Sequence, residues 1–166
     1  MNSDQPMRGD VVVFYENDSH LTTTITGVTD DGVRFQLRLK DGITMDVGRH
    51  GLSVLPERNV LLIAYLQAMY VSLGENPNDL RSGDLHWHRE TVRLALADPE
   101  ATAFDFHTCW YERHREDGWH FGRFFNESAK RHPAMVPFDK LTEEELAAEA
   151  AGEKALRSAI RAMGAT

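Results

Sequence analysis

Residues 107–141 read HTCWYERHREDGWHFGRFFNESAKRHPAMVPFDKL and carry most of the information about the fold. The stretch begins in a run whose apolar and aromatic residues recur every three or four positions, which predicts an amphipathic helix. Residues 118–122 then predict a turn, because the two glycines that bracket it accept backbone angles that other residues avoid. Pro133 predicts a second turn, since the proline ring restricts the backbone angle φ.

The order of particular residues in this stretch forms a family signature. A His is followed three residues later by a Trp, then by a Gly-Trp turn, a His-Pro pair, a Val-Pro-aromatic triplet and a Leu. The signature residues are His107, Trp110, Gly118, Trp119, His120, Phe121, Gly122, Arg131, His132, Pro133, Val136, Pro137, Phe138 and Leu141. Their order and spacing resemble the core of the RyR domain, the repeat module of ryanodine receptors. The resemblance covers about residues 60–163.

The chain departs from the family pattern at several positions. Residues 124–127 (Phe-Phe-Asn-Glu) replace an acidic pair after the Gly-Trp turn, and His120 stands where the family usually has Thr or Lys. Leu146 and Glu149 stand where the family usually has Lys and Asp. Residues 1–55 lie outside the resemblance.

The resemblance implies a compact helical module with a short two-stranded element and without catalytic activity. In ryanodine receptors such repeats form peripheral clamps, and an adenine nucleotide can bind against their tryptophans. Free-standing members, of bacterial or phage type, have been proposed to sense nucleotide-derived ligands. By resemblance, the chain is expected to sense or sequester a small anionic ligand, such as a nucleotide or cyclic nucleotide, without a cofactor.

Outside this stretch the helical pattern continues in both directions. A capping box of Thr142 and Glu145 predicts the start of a last helix. The other predicted helices cover residues 60–73, run from an N-cap at Asp84 to just before Pro99, and cover residues 102–116.

Residues 8–55 have the pattern of β structure. Apolar and polar residues alternate from Val33 to Leu39, which predicts a strand with one buried face. Five predicted strands are separated by turn residues at 17–19, 30–32 and 41–42, and Pro56 closes the segment. The expected fold class is therefore α+β: a small SH3-like β-barrel over residues 1–55, followed by a mainly helical RyR-type domain over residues 56–166.

The signature region also contains the candidate ligand-binding residues. Aromatic rings can stack on a nucleobase, forked or point cations can hold phosphates, and histidines can donate hydrogen bonds near neutral pH. The candidates are His107, Trp110, Trp119, Phe121, Gly122, Arg123, Lys130, Arg131 and His132. The alternative interpretation stays open, in which the two tryptophans belong to the core and the arginines form a solvated rim.

Charge and composition exclude several other classes of function. The formal net charge of −8 argues against a nucleic-acid surface, which needs clustered Lys and Arg. No apolar run is long enough to span a membrane, and the N-terminal residues lack the pattern of a signal peptide, so a cytoplasmic location is expected. His86 and His88 point to different helix faces, which predicts no metal site, and Cys109 is expected to be a buried, inert thiol.

Two hypotheses follow from these observations. The first is a non-enzymatic module, without catalytic residues, that binds a small anionic ligand through the candidate residues. The second is a protein–protein interaction or adaptor module with no small ligand, in which the predicted barrel and the acidic last helix dock a partner protein or another copy of the chain.

Overall fold

A computed structural model describes residues 5–16, 19–29, 34–39, 42–49, 52–55 and 58–164. The turns predicted at 17–18, 30–32 and 41, the strand start at Val33 and the closing residue Pro56 lie outside these described residues. Within them, no helix is long and apolar enough to cross a membrane.

The N-terminal segment forms a five-stranded antiparallel sheet in the order β4-β3-β2-β1-β5. Alternation of exposed and buried residues along β3 confirms the predicted period of two. The buried face carries Val12, Ile25, Phe35, Leu37 and Val47, because only alternate residues of a strand point to the same side. The strands are β1 (Val11–Glu16), β2 (Ser19–Val28), β3 (Arg34–Arg38), β4 (Thr44–Gly48) and β5 (Leu52–Leu55).

The rest of the chain is mainly helical. A short parallel pair of strands, β6 and β7, lies within the signature stretch and pairs His120 with Arg131 and Phe121 with His132, which confirms the two-stranded element implied by the resemblance. A 3-10 helix at Phe138–Lys140 precedes the last helix. The elements are α1 (Val60–Ser72), α2 (Ser82–Trp87), α3 (Arg89–Ala97), α4 (Ala103–Glu116), β6 (His120–Phe121), β7 (Arg131–His132) and α5 (Glu143–Ala162).

The predicted capping of α5 is confirmed. The Thr142 hydroxyl accepts from the backbone N–H of Glu145, and the Glu145 carboxylate accepts from the backbone N–H of Thr142 at 2.8 Å. α4 has the same arrangement at Thr102 and Asp105. These reciprocal bonds satisfy donors that the first turn of a helix leaves unpaired.

The single helix predicted from an N-cap at Asp84 to Pro99 is wrong, because two helices occupy this region. The chain bends at His88, which ends α2 and precedes α3. The backbone N–H and ring Nδ1 of His88 both contact the Asp84 carbonyl, at 3.0 and 2.9 Å. Asp84 lies inside α2, and its carboxylate accepts from the hydroxyl of Tyr70 at 2.5 Å. The Asp84 side chain, which the sequence pattern predicted to cap a helix, therefore makes a tertiary hydrogen bond to Tyr70 instead.

The core of the helical part lies mainly between α1 and α5. Leu61, Leu62 and Leu66 are buried there with Leu156. Gly152 permits the close approach, since a Cβ at that position would lie 2.7 Å from Cε2 of Tyr65. α1 is therefore held against α5 along its length.

A buried ion pair connects the sheet to the helices. Asp10, which is 0% exposed, accepts from both terminal nitrogens of Arg89, at 2.8 and 3.1 Å. Its carboxylate also accepts from the backbone N–H of Met7 and from Nδ2 of Asn59, each at 2.9 Å. Asn59 caps α1 by accepting from the backbone N–H groups of Leu61 and Leu62. One carboxylate thus positions the start of β1, the start of α1 and the first turn of α3.

We expect Asp10→Ala to lower the free energy of unfolding by about 3–5 kcal/mol, because it leaves the Arg89 guanidinium buried without its carboxylate. The matched control is Asp139→Ala, which removes an exposed carboxylate paired with Lys140 and should change stability by less than about 0.5 kcal/mol. Urea unfolding of both variants measures the difference. Equal, small losses in the two variants would contradict the role assigned to this pair.

Candidate functional site

A cavity of about 500 Å3 lies between α1, α2, the first turns of α5 and the segment around β7. α1 contributes apolar side chains, and the other elements contribute aromatic and charged ones. The lining residues are Leu66, Met69, Tyr70, Leu73, Glu75, Arg81, Asp84, His88, Trp110, Phe125, His132, Pro133, Ala134, Leu141, Thr142, Glu144, Glu145, Ala148 and Glu149. A volume of this size matches sites that hold small organic ligands.

Part of the cavity wall is a connected set of aromatic rings. His88 lies nearly parallel to Trp110, with 6.2 Å between the ring centroids. His132 meets Trp110 edge-on at 5.1 Å, and Phe125 meets His132 edge-on at 5.6 Å. Offset and edge-to-face pairs of this kind stabilise one another. The rings therefore form a preorganised surface on which a flat ligand can stack.

The indole of Trp110 carries a buried N–H donor that has no hydrogen-bond partner in the described part of the chain. The donor is Nε1–H, and the side chain as a whole is 7% exposed. A buried donor left without an acceptor costs about 1–3 kcal/mol.

His114 packs against the side of Trp110 and is held neutral. The ring centroids are 4.2 Å apart, and Nδ1 lies 2.9 Å from the Trp110 carbonyl oxygen. Because a carbonyl only accepts, Nδ1 carries the proton, and the buried Nε2 is an acceptor without a partner. Burial lowers the pKa of His114 to about 4. Burial likewise lowers the pKa of His132 to about 4, so neither ring adds positive charge to the site at neutral pH.

His107 lies one layer behind the cavity, and its pKa shifts in the opposite direction. Its Nε2 lies 2.8 Å from the Val136 carbonyl oxygen, and its Nδ1 lies 3.2 Å from Oε1 of Glu149. Burial disfavours the imidazolium, but these two hydrogen bonds and the charge of Glu149 outweigh it and raise the pKa of His107 above 6.5. Glu149, which lines the cavity, also accepts from the Tyr65 hydroxyl at 3.1 Å.

Arg81 is the one Lys or Arg among the residues that line the cavity. Its guanidinium lies 3.4 Å from Oε2 of Glu75 and 3.6 Å from Oδ2 of Asp84. It also covers the ring of Phe125, 5.0 Å from the centroid. The charge of Arg81 is therefore already compensated by two carboxylates, and its flat face extends the aromatic wall.

Of the nine predicted ligand residues, Trp110 and His132 line the cavity. His107 contacts it indirectly, through Glu149. Trp119 is 5% exposed and packs in a core cluster with Trp110 and Met135. The structure therefore places Trp119 behind the wall, where it supports Trp110.

The other five predicted residues lie outside the cavity. Phe121, Arg123, Lys130 and Arg131 are exposed. Nζ of Lys130 donates to the Asp117 carbonyl, and Nε of Arg131 donates to Nε2 of His120. Gly122 has a packing role, since a Cβ there would lie 2.6 Å from Cβ of Arg131 and would disturb the pairing of β6 with β7.

Several lining residues were not predicted from the sequence. Tyr70, Arg81 and Asp84 come from elements before the signature stretch, and no local pattern marks them as site residues. Phe125 and Glu149, in contrast, stand at positions where the chain departs from the family pattern. Those departures were the available signal that these residues belong to a site.

The described residues contain no group of three or more His, Cys, Asp or Glu side chains arranged to hold a metal ion. Cys109 is half-buried on α4, on the side away from the aromatic cavity, and lines a separate groove. Burial raises the pKa of its thiol, and the charges of Glu90 and Glu112 raise it further. A thiol in this setting is protonated at neutral pH and is a poor nucleophile.

Comparison with known proteins identifies the family. Residues 76–166 match the family model described as the RyR domain, which is more than half of the 166 residues. The chain belongs to the RyR domain family. The match begins after α1, although α1 packs closely against α5. No curated protein and no solved structure matches the chain significantly.

We expect Trp119→Ala to lower the free energy of unfolding by about 3–5 kcal/mol, because truncating a buried Trp leaves a cavity beneath Trp110. Phe121→Ala is the control, since Phe121 is 59% exposed and its loss should cost less than about 0.5 kcal/mol. Chemical denaturation followed by circular dichroism measures both values. If Trp119→Ala is as stable as the control, the core position of Trp119 is wrong.

The raised pKa of His107 predicts how stability depends on pH. Its contribution is fully present below 6.5, the ordinary His value, and is lost as the pH rises through the higher folded-state pKa. Between roughly pH 6 and pH 8 the wild type should therefore lose more stability than His107→Gln. His120→Gln, which replaces an exposed histidine, should keep the wild-type slope. Parallel pH profiles of the free energy of unfolding for His107→Gln and the wild type would contradict the prediction.

Proposed function

We propose that this protein is a non-enzymatic binding module for a small, nucleotide-derived ligand, which it senses or sequesters. The observation that carries the proposal is the aromatic cavity, where two signature residues lie together in the wall. Trp110 supplies a flat face, and His132 meets it edge-on with 5.1 Å between the ring centroids. Cavities with an apolar lining and a few placed polar groups are the usual form of small-ligand sites.

The geometry divides such a ligand into two parts. A ring inside the cavity would stack on the wall formed by Trp110 and Phe125. An anionic group would lie outside, on the side of β7, where the exposed Arg131 precedes His132. Lys130 and Arg123, which are also exposed, belong to the same segment and can contribute to this outer contact.

We also propose that the five-stranded sheet closes into an SH3-like barrel. The fifth strand returns to pair with the first, as Val11 faces Leu55 and Phe14 faces Leu52. The long strand β2 changes register between Ile25 and Gly27, and bulges of this kind bend a strand so that it can serve two halves of a barrel. A cytoplasmic location for the protein stays a prediction.

The test is a thermal-shift screen of the purified chain against nucleotides, cyclic nucleotides and ADP-ribose derivatives. A ligand that binds only the folded state stabilises it by about 2.7 kcal/mol at a concentration one hundred times its Kd. Trp110→Phe keeps an aromatic ring but reduces the face on which a ligand can stack, and it should weaken binding by about 0.5–1.5 kcal/mol. Phe121→Ala, outside the cavity, should bind as the wild type does. Absence of any shift, or equal shifts in wild type and Trp110→Phe, would count against the cavity as the ligand site.

A second candidate function, docking of a protein partner or another copy of the chain, is favoured by exposed aromatic residues in β6 and just after it. Phe121 is 59% and Phe124 is 74% exposed, and large exposed apolar side chains often mark interaction surfaces. Sedimentation velocity over a wide range of protein concentration tests self-association. A dimer that Phe124→Ser abolishes would favour this function, whereas a monomer that binds a nucleotide would favour the first.

A further inference from the structure

The cavity wall carries far more negative than positive charge. Its lining contains five carboxylates and one guanidinium. If a protonated His107 neutralises the charge of Glu149, the lining still holds four negatively charged carboxylates. The positive charge opposite them is that of Arg81, which already lies between Glu75 and Asp84. The carboxylates are Glu75, Asp84, Glu144, Glu145 and Glu149.

The N-terminus of α5 does not offer the phosphate-binding site that a helix N-terminus often provides. The first turn of α5 opens on the cavity, and free N–H groups at such a position would bind an anion. At this end, however, the Glu145 carboxylate already accepts from the backbone N–H and the hydroxyl of Thr142, at 2.8 and 3.0 Å. Glu143 and Glu144 add further negative charge to the same turn. The dipole of α5 is thus already compensated by the chain itself.

We infer that the part of the ligand that enters the cavity is a flat aromatic ring, neutral or positively charged, that donates hydrogen bonds to the carboxylates. An amino-substituted heterocycle or an aromatic amidine has this chemistry, and a phosphate does not. Asp84 and Glu144 are the specificity-determining acceptors. Trp110, which lines the cavity, binds the ring face. This inference rests on the proposed function, because it takes the same cavity as the ligand site.

Three fragments of one shape test the inference: benzamidine, benzamide and benzoate differ mainly in charge. Ligand-detected NMR titrations of the intact chain give a Kd for each. We expect benzamidine to bind more than about tenfold tighter than benzoate, with benzamide between them, because placing like charges together is costly. A preference for benzoate, or no binding by any of the three, would overturn the inference.

Charge-neutralising variants locate the effect. Asp84→Asn and Glu144→Gln should each reduce the preference for benzamidine over benzoate by about threefold or more. Glu144 is exposed, so its variant keeps the test valid even if Asp84→Asn fails to fold. Glu112→Gln is the matched control, since it removes the same charge from the separate groove on α4. Equal effects of Glu112→Gln and Glu144→Gln would show a long-range field and would contradict a local site.

A series of adenosine, AMP and ATP separates failure of this inference from failure of the proposed function. Binding of adenosine itself supports both, whether or not phosphates strengthen it, because the phosphates would lie outside the cavity beside Arg131. Binding of AMP and ATP without binding of adenosine keeps the proposed function and overturns the inference. If benzamidine binds and no member of the series does, the charge preference of the cavity stands and the nucleotide-derived ligand is wrong.

Discussion

The arrangement of this protein depends on the buried contact between Asp10 and Arg89. Two charges without access to water are stable only when hydrogen bonds satisfy nearly all their polar atoms, and Asp10 accepts four such bonds. Through Asn59 the same cluster fixes the first turn of α1. Since α1 packs against α5 and both line the cavity, the shape of the cavity depends on a carboxylate that lies before the first strand.

Four of the described histidines contact Trp110, and the surroundings of their rings differ. His88, His107, His114 and His132 all have ring contacts with this side chain. His107 has a carboxylate and a carbonyl as partners, so its imidazolium is stabilised. The rings of His114 and His132 are buried without a carboxylate as hydrogen-bond partner, so burial lowers their pKa values to about 4. The same residue type thus has a raised pKa behind the cavity and a lowered pKa beside it.

The acidic lining and the basic exposed segment after β6 give the site two electrostatic regions. The cavity is suited to a donor-bearing ring, and the exposed Arg and Lys side chains are suited to an anion in solvent. A nucleotide-derived ligand has both parts. Exposed charges are screened by salt far more than buried ones, so the two regions differ in their sensitivity to ionic strength.

Local patterns in the sequence predicted most of the secondary structure. The alternation along β3, the capping box at Thr142 and the helix after Thr102 are local devices, because their partners lie within a few residues. The break at His88 was not predictable in this way. Nor was the contact of Asp84, which accepts from Tyr70 at 2.5 Å, because the two residues belong to different helices.

By itself, the sequence determined the family, the order of strands and helices, and the aromatic character of the site. Tertiary structure decided which signature residues line the cavity, placing Trp110 on the wall, Trp119 behind it and Arg123 in solvent. It also decided the charge of the cavity, since Glu75 and Asp84 come from elements before the signature and Glu144 from the helix after it. The physical reason is that stacking chemistry follows from residue type, whereas burial and electrostatic environment depend on distant segments brought together by packing.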